Sequence, residues 1–169
     1  MTRALITGIS GFVGKHLQRQ LTNSGWQVFG FDIRPGAEEV FVGDLTDRAA
    51  LSRAVLTCRP DVVFHLAGVI KSDTPEVFYQ VNFLGTLALF DAIVDTGIRP
   101  KVVVASSSAV YGRKSGAEPI TERVQLHPLT DYAVSKVAQE TAAMRYHESF
   151  GLPVMVVRMF NLLGPGQPA

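Results

Sequence analysis

Ala4-Leu5-Ile6-Thr7-Gly8-Ile9-Ser10-Gly11-Phe12-Val13-Gly14 decides the reading of this chain. A short apolar run ends in three glycines spaced by three, and helical spacing begins at once with Val13, Leu17 and Leu21. A buried strand that turns on glycine into a helix is a phosphate-binding turn. One glycine makes the bend, one lets the backbone approach a diphosphate, and one lets helix and strand press together. Free N–H groups at the helix start would hold the anion. The spacing is G-x-x-G-x-x-G rather than the general G-x-G-x-x-G. No Gly-Lys-Ser/Thr follows, so a nucleoside-triphosphate loop is not supported. The readings at this turn are Gly8, Gly11, Phe12, Val13 and Gly14 as cofactor-binding residues.

Strand-like and helix-like segments alternate outward from that turn. Gln27–Asp32 reads as the second strand and Val40–Val42 as a short third. Thr46 is expected to cap a helix from Asp47 to about Cys58. Asp61–Leu66 is a buried strand by its Val-Val-Phe content. Thr74-Pro75-Glu76 combines a cap, a first-turn proline and an acid, and predicts one helix to Thr96, stopped by Gly97. Lys101–Ser106 is a fifth strand, and 112–128 a polar loop. Thr130 or Asp131 opens a helix to Phe150, ended by Gly151 and Pro153, and Val154–Met159 is a sixth strand. This alternation predicts an α/β fold, a doubly wound parallel sheet covered on both faces.

Composition narrows the class. At 169 residues the chain is one domain with a full core. The net charge of +1, with no Lys/Arg run and no aromatic stacking cluster, argues against a nucleic-acid partner. The longest uncharged stretch, Val77–Phe90, is too short to span a bilayer, so no membrane partner is expected. The only cysteine, Cys58, reads as a small residue near a helix end and suits a cytoplasmic setting. No metal site is expected.

Asp32 ends the second strand eighteen residues after Gly14, close to the ~20 expected of a ribose-binding acid. A carboxylate there favours NAD over NADP, while Arg34 leaves room for NADP. Asp44 and Leu45 follow the third strand and could meet the adenine. Tyr132 and Lys136 lie at i and i+4 on one helix face. A tyrosine of pKa about 10 needs help to act as a base near neutrality, and a neighbouring ammonium favours its phenolate. Ser107, at a strand end, can hold and polarise a substrate oxygen. The three together predict hydride chemistry on a carbonyl or alcohol.

The chain resembles the extended short-chain dehydrogenase/reductases, in the nucleotide-sugar epimerase/dehydratase family. The matching pieces are Thr7-Gly8-x-x-Gly11-Phe12-x-Gly14, Asp44-Leu45, His65-Leu66-Ala67-Gly68, Val81-Asn82-x-x-Gly85-Thr86, Ser106 to Gly112, Tyr132-x-x-x-Lys136 and Arg158-x-x-Asn161-x-x-Gly164-Pro165-Gly166. The resemblance implies a Rossmann fold in which Leu66, Ala67 and Gly68 line the cofactor. It implies that Asn82 steadies the helix beneath the site, that Ser107, Ser108, Tyr132 and Asn161 meet a nucleotide-sugar substrate, and that Tyr132 and Lys136 also meet the cofactor. His65 and Arg158 read as structural residues. Family dehydratases carry an acid after the catalytic Ser/Thr. Here Ser108 and Ala109 stand there, and alanine cannot move a proton, so 4-epimerisation or 4-keto-sugar reduction is expected over dehydration. A non-catalytic NAD(P)-binding module is the alternative.

Residues 1–163 are expected to form the NAD(P)-binding domain. Residues 164–169 would then begin a linker, frayed at its end, to a C-terminal substrate-binding region that the chain lacks. Without that region, NAD binding with poor turnover is expected. The helix over 74–96 is apolar beyond one stripe, through Val77, Phe78, Val81, Leu84, Leu87, Leu89, Phe90 and Ile93. Such a helix needs two burial partners, which predicts a homodimer through helices 74–96 and 131–150.

Overall fold

β1 (Arg3–Thr7) lies near the middle of the sheet, and its alternate residues build two cores. Leu5 enters the larger cluster, with Phe31, Leu51, Val63, Leu89, Phe90 and Tyr146. Ala4 and Ile6 enter a smaller one, with Ile9, Leu21 and Val28. This is the period-2 alternation of a strand covered on both sides. The computed structural model describes residues 1–36, 39–113 and 118–167.

The other elements follow in chain order: α1 (Phe12–Asn23), β2 (Gln27–Asp32), β3 (Val40–Val42), α2 (Arg48–Cys58), β4 (Val62–His65), α3 (Pro75–Phe78), α4 (Gly85–Thr96), β5 (Lys101–Ser107), α5 (Asp131–Phe150) and β6 (Val154–Met159). A π-helical turn, Tyr79–Leu84, joins α3 to α4, and a 3₁₀ turn, Ser108–Tyr111, follows β5. All pairings are parallel and the strand order is 3-2-1-4-5-6. That is the doubly wound order whose direction reverses between β1 and β4, where such sheets open a crevice for ligands. On the α1 side of the sheet, β6 leaves Met155 62% and Val157 38% exposed, while Val154 and Val156 pack into the larger core.

Three local expectations change. The helix over 74–96 is not uniform, because six of its residues adopt the wider π winding around Asn82. The cap of α2 is Asp47, whose carboxylate accepts the Ala50 N–H at 2.9 Å. Thr46 instead gives its hydroxyl to Asp44 at 2.6 Å. Between the two candidate openings of α5, Thr130 caps through the Ala133 N–H. Gly97 and Gly151 stop α4 and α5 at φ 68° and 64°, where a Cβ would be strained.

Pro75–Thr96 is, by length and composition, apolar enough to cross a bilayer. It runs instead through the core, with Phe78, Asn82, Thr86, Leu89, Phe90 and Ile93 buried. Residues 114–117 of the expected loop and Pro168 and Ala169 of the expected tail lie outside the described residues. The rest of the tail touches α1: Gly164 faces the Phe12 ring, and the Pro165 carbonyl lies 3.0 Å from His16 Nε2.

Candidate active site

The glycine turn is shaped by what side chains would hit. A Cβ on Gly8 would lie 2.7 Å from the Ala67 nitrogen, and φ of 73° disfavours one anyway. A Cβ on Gly14 would lie 2.6 Å from the Ile9 carbonyl oxygen. Gly8 therefore lets β1 and β4 close over the turn, and Gly14 lets α1 sit against it. Gly11 is the N-cap of α1, with no side-chain cap and no acid in the first turn. Helix-start N–H groups left without a side-chain acceptor form an anion site.

A cleft of about 280 Å³ opens at this end of the sheet. Of the residues singled out in the sequence, Gly8, Gly11, Asp32, Asp44, Leu45, Leu66, Ala67 and Gly68 line it. Phe31, Ile33, Arg34, Gly43, Val69 and Val81 complete it. Phe12, Val13 and Gly14 do not line it: Gly14 is a packing glycine, and the Phe12 ring meets His16 edge-on at 5.1 Å. Asp32 is 7% exposed. Its Oδ2 accepts the Ser10 N–H at 3.0 Å and its Oδ1 the Arg34 N–H at 3.1 Å, with Arg34 Nε 3.6 Å away. The carboxylate is thus fixed to both the glycine turn and the end of β2. Asp44 accepts the Thr46 N–H and hydroxyl, which hold its pKa below the usual carboxylate value.

The Ser107, Tyr132 and Lys136 trio sits farther along the sheet. Ser107 closes β5, and its Oγ accepts the Ala109 N–H at 3.2 Å, capping the 3₁₀ turn that carries Ser108. Tyr132 is half-buried, its ring edge-on to Phe78 at 6.0 Å. Lys136 is 5% exposed and donates from Nζ to the Ala105 carbonyl at 2.5 Å. Burial pushes the Lys136 pKa down to about 8, against a raising influence from Glu140. Among the described residues no hydrogen bond joins the three directly. Lys136 Nζ is bonded to β5, because α5 packs that face on the strand. Ser107, Tyr132 and Lys136 do not line the cleft, but Lys136 Nζ comes near its wall, 4.0 Å from where a Cβ on Gly68 would lie. Asn161 is exposed beyond β6.

Beneath the trio, Glu140 escaped the sequence reading, while Arg158 and Asn82 take the structural places expected of them. Glu140 is 6% exposed and accepts from the Ser106 hydroxyl and from Arg158, Nη2 to Oε2 at 2.7 Å. Arg158 also donates to the Tyr111 hydroxyl at 3.0 Å and covers that ring. Its pKa is raised, chiefly by Glu140. Asn82 accepts the Val69 N–H at 2.8 Å and donates to the Val69 carbonyl and to Ser135 Oγ, both at 3.0 Å. One signal was available. Lys136, Gln139, Glu140 and Ala143 share the face of α5 that turns inward, so its charges had to find partners there.

A glycine-turned doubly wound sheet with a serine strand end and a Tyr/Lys helix defines a nucleotide-dependent enzyme class, and the chain belongs to the NAD dependent epimerase/dehydratase family, matched over residues 4–169. It is similar to the GDP-6-deoxy-D-mannose reductase of Pseudomonas aeruginosa, at 38% identity over 98% of this chain and 54% of the relative. The UDP-glucose 4-epimerase of Thermus thermophilus, solved with NAD, superposes with a TM-score of 0.92 at 32% identity, over 99% of this chain and 58% of that one. RMD from P. aeruginosa, solved with NADPH, gives 0.87 at 36% identity, over 99% and 57%. The chain spans just over half the length of these relatives.

Proposed function

We propose that the cleft binds NAD, and that Ser107, Tyr132 and Lys136 serve hydride transfer at a ring carbon of a nucleotide-activated sugar, as a 4-epimerase or a 4-keto-sugar reductase. The observation that carries this is the cleft built at the glycine turn. Gly8, Gly11, Asp32 and Leu66 to Gly68 line it together, and Lys136 Nζ lies close to the Gly68 wall. A diphosphate suits the open glycine turn and the uncapped start of α1. Asp32 has lone pairs left for two ribose hydroxyls and would repel a 2′-phosphate. Asp44 and Leu45 border the adenine end.

Bound NAD would supply the hydride acceptor and donor. The chain's own part is to hold the reacting oxygen and move its proton. Ser107, with Ser108 beside it, offers a hydroxyl to orient that oxygen. Tyr132 takes or returns the proton there. Lys136, in its ammonium form, would favour the phenolate and bond the nicotinamide ribose. Ala109 leaves no acid for removing water, which favours epimerisation or reduction over dehydration. Asn161 belongs to the sugar side.

We extend the proposal to a cytoplasmic homodimer through residues 74–96 and 131–150. Leu84, Val134 and Met144, on those helices, are 48%, 40% and 43% exposed, and two-fold pairs are the commonest oligomers. Sedimentation showing only monomer at tens of micromolar would remove the dimer. For the chemistry, Tyr132→Phe should cut turnover about 10²- to 10⁴-fold with NAD affinity kept. Unchanged turnover overturns the assignment. Nucleotide released from the purified chain tests the cofactor directly; NAD at near-unit occupancy fits an epimerase, which returns its hydride.

A further inference from the structure

Beneath the cleft wall, a buried imidazole has both nitrogens in use. His65, 0% exposed, places Nδ1 2.8 Å from Thr7 Oγ1 and Nε2 2.8 Å from Thr86 Oγ1. Thr86 Oγ1 also lies 2.6 Å from the Asn82 carbonyl and receives Gln139 Nε2 at 2.8 Å. Thr7 Oγ1 receives the Ala67 N–H at 3.3 Å.

Counting protons fixes the direction of every bond. A hydroxyl has one proton, and a carbonyl has none. The Thr86 proton must go to the Asn82 carbonyl. Thr86 can therefore only accept from His65, so Nε2 carries the imidazole proton. Nδ1 is then bare and accepts the Thr7 proton, while Thr7 accepts from Ala67. The opposite tautomer would set Thr86 Oγ1 between two acceptors with one proton, and would leave the Thr7 hydroxyl without an acceptor. A doubly protonated ring would fail at Thr7 in the same way.

We infer that His65 is a positioning residue: a permanently neutral, Nε2-protonated imidazole that latches the glycine turn (through Thr7), the Leu66–Gly68 wall (through Ala67) and α4 (through Thr86) into one rigid cleft. Burial, aided by the Lys136 ammonium, holds its pKa down to about 3, which agrees with a ring that stays neutral. The same wall is held at its far end by Asn82 on Val69. Only the consequence for nucleotide affinity rests on the proposed NAD reading.

The test starts on the unaltered chain. ¹⁵N-histidine spectra should show the Nε2–H tautomer for His65, with no titration between pH 5 and 9. An Nδ1–H signal, or a midpoint in that range, overturns the inference whether or not NAD binds. Two variants then divide the latch. His65→Asn sets an amide oxygen near the Nδ1 position and keeps an acceptor for Thr7. His65→Gln sets an amide nitrogen near the Nε2 position and keeps only the Thr86 contact. Ala67 amide exchange and the NAD dissociation constant should each rise about tenfold in His65→Gln and stay near the parent values in His65→Asn. Equal behaviour of the two variants sinks the latch. Failure of the parent chain to bind NAD sinks the nucleotide reading alone, because the tautomer and the exchange pattern are read without it.

Discussion

At the β1–α1–β2 end of the cleft, backbone shapes the surface. Gly8, Gly11 and Gly14 succeed by having no side chain, and the Asp32 carboxylate is held by the N–H groups of Ser10 and Arg34. At the β5–α5–β6 end, side chains do the shaping. Ser106, Glu140, Arg158 and Tyr111 are linked side chain to side chain over sequence separations of 18 to 47 residues, and Lys136 bonds the Ala105 carbonyl beside them. The first end tolerates no added atom, and the second tolerates no lost partner. In the proposed reading a diphosphate would be met by fixed N–H groups at the first end, while at the second end burial lowers the Lys136 pKa to about 8.

The largest expected effect tests the intolerance to added atoms. Gly14→Ala puts a methyl carbon against backbone at Gly8 and Ile9 that cannot swing away. It should cost about 4 kcal/mol or leave the chain unfolded, measured by urea denaturation. Gly25→Ala is the control: φ is 79°, but nothing lies within 4 Å, so its loss should be about 1–2 kcal/mol. Similar losses at the two positions would mean that close approach does not distinguish the glycine turn.

The opposite end is tested by removing a partner. Glu140→Gln leaves Arg158, 21% exposed at its side chain, without its carboxylate. The loss should be about 3 kcal/mol. Replacing both partners with well-packed apolar residues should recover much of it, because the desolvation of both charges goes too. A double variant no better than the single would show that the pair acts through Ser106 and Tyr111 rather than through its charge.

Lys136 gives the third and pH-dependent test. Its pKa falls from an ordinary 10.5 to about 8 on folding, so the unfolded chain binds more protons between those values. The Lys136 contribution to stability should therefore rise as pH increases from about 8 to 10.5, and below pH 8 the buried ammonium should cost about 3 kcal/mol. In Lys136→Met that rise should vanish, seen by comparing urea midpoints of the two chains at about pH 7.5 and about pH 10. Parallel slopes in both would place the amine in a wetter setting than α5 and β5 give it.

How much was legible follows the same division. The six strands, their parallel pairing and the glycine turn come from local patterns: apolar runs, helix stops, and glycines where a Cβ cannot fit. Asp32 was legible because its distance from the turn is set by one helix and one strand. The Glu140–Arg158 and His65–Thr86 contacts were not, because each joins elements whose meeting depends on the whole strand order. The π winding at Tyr79–Leu84 was hidden too. Nothing in its residue types marks the wider winding, and within it Asn82 bonds both Val69 and Ser135.

The smallest effect concerns the cap of α2, which the sequence assigned to Thr46 and the structure gives to Asp47. Thr46 and Asp47 are both good caps, and the threonine comes first. Asp44 lies two residues earlier, and its carboxylate takes both the Thr46 N–H and hydroxyl in a local turn. That turn aims Asp47, not Thr46, at the free Ala50 N–H. Asp47→Ala should therefore cost about 1 kcal/mol by loss of the α2 cap. Thr46→Ala should cost less in stability, but should let the Asp44 pKa drift back up toward its ordinary value, readable by carboxylate NMR titration. If Thr46→Ala were the costlier change, the cap would belong to the threonine after all, and the turn at Asp44, which borders the cleft, would be a by-product of α2 rather than what sets where α2 begins.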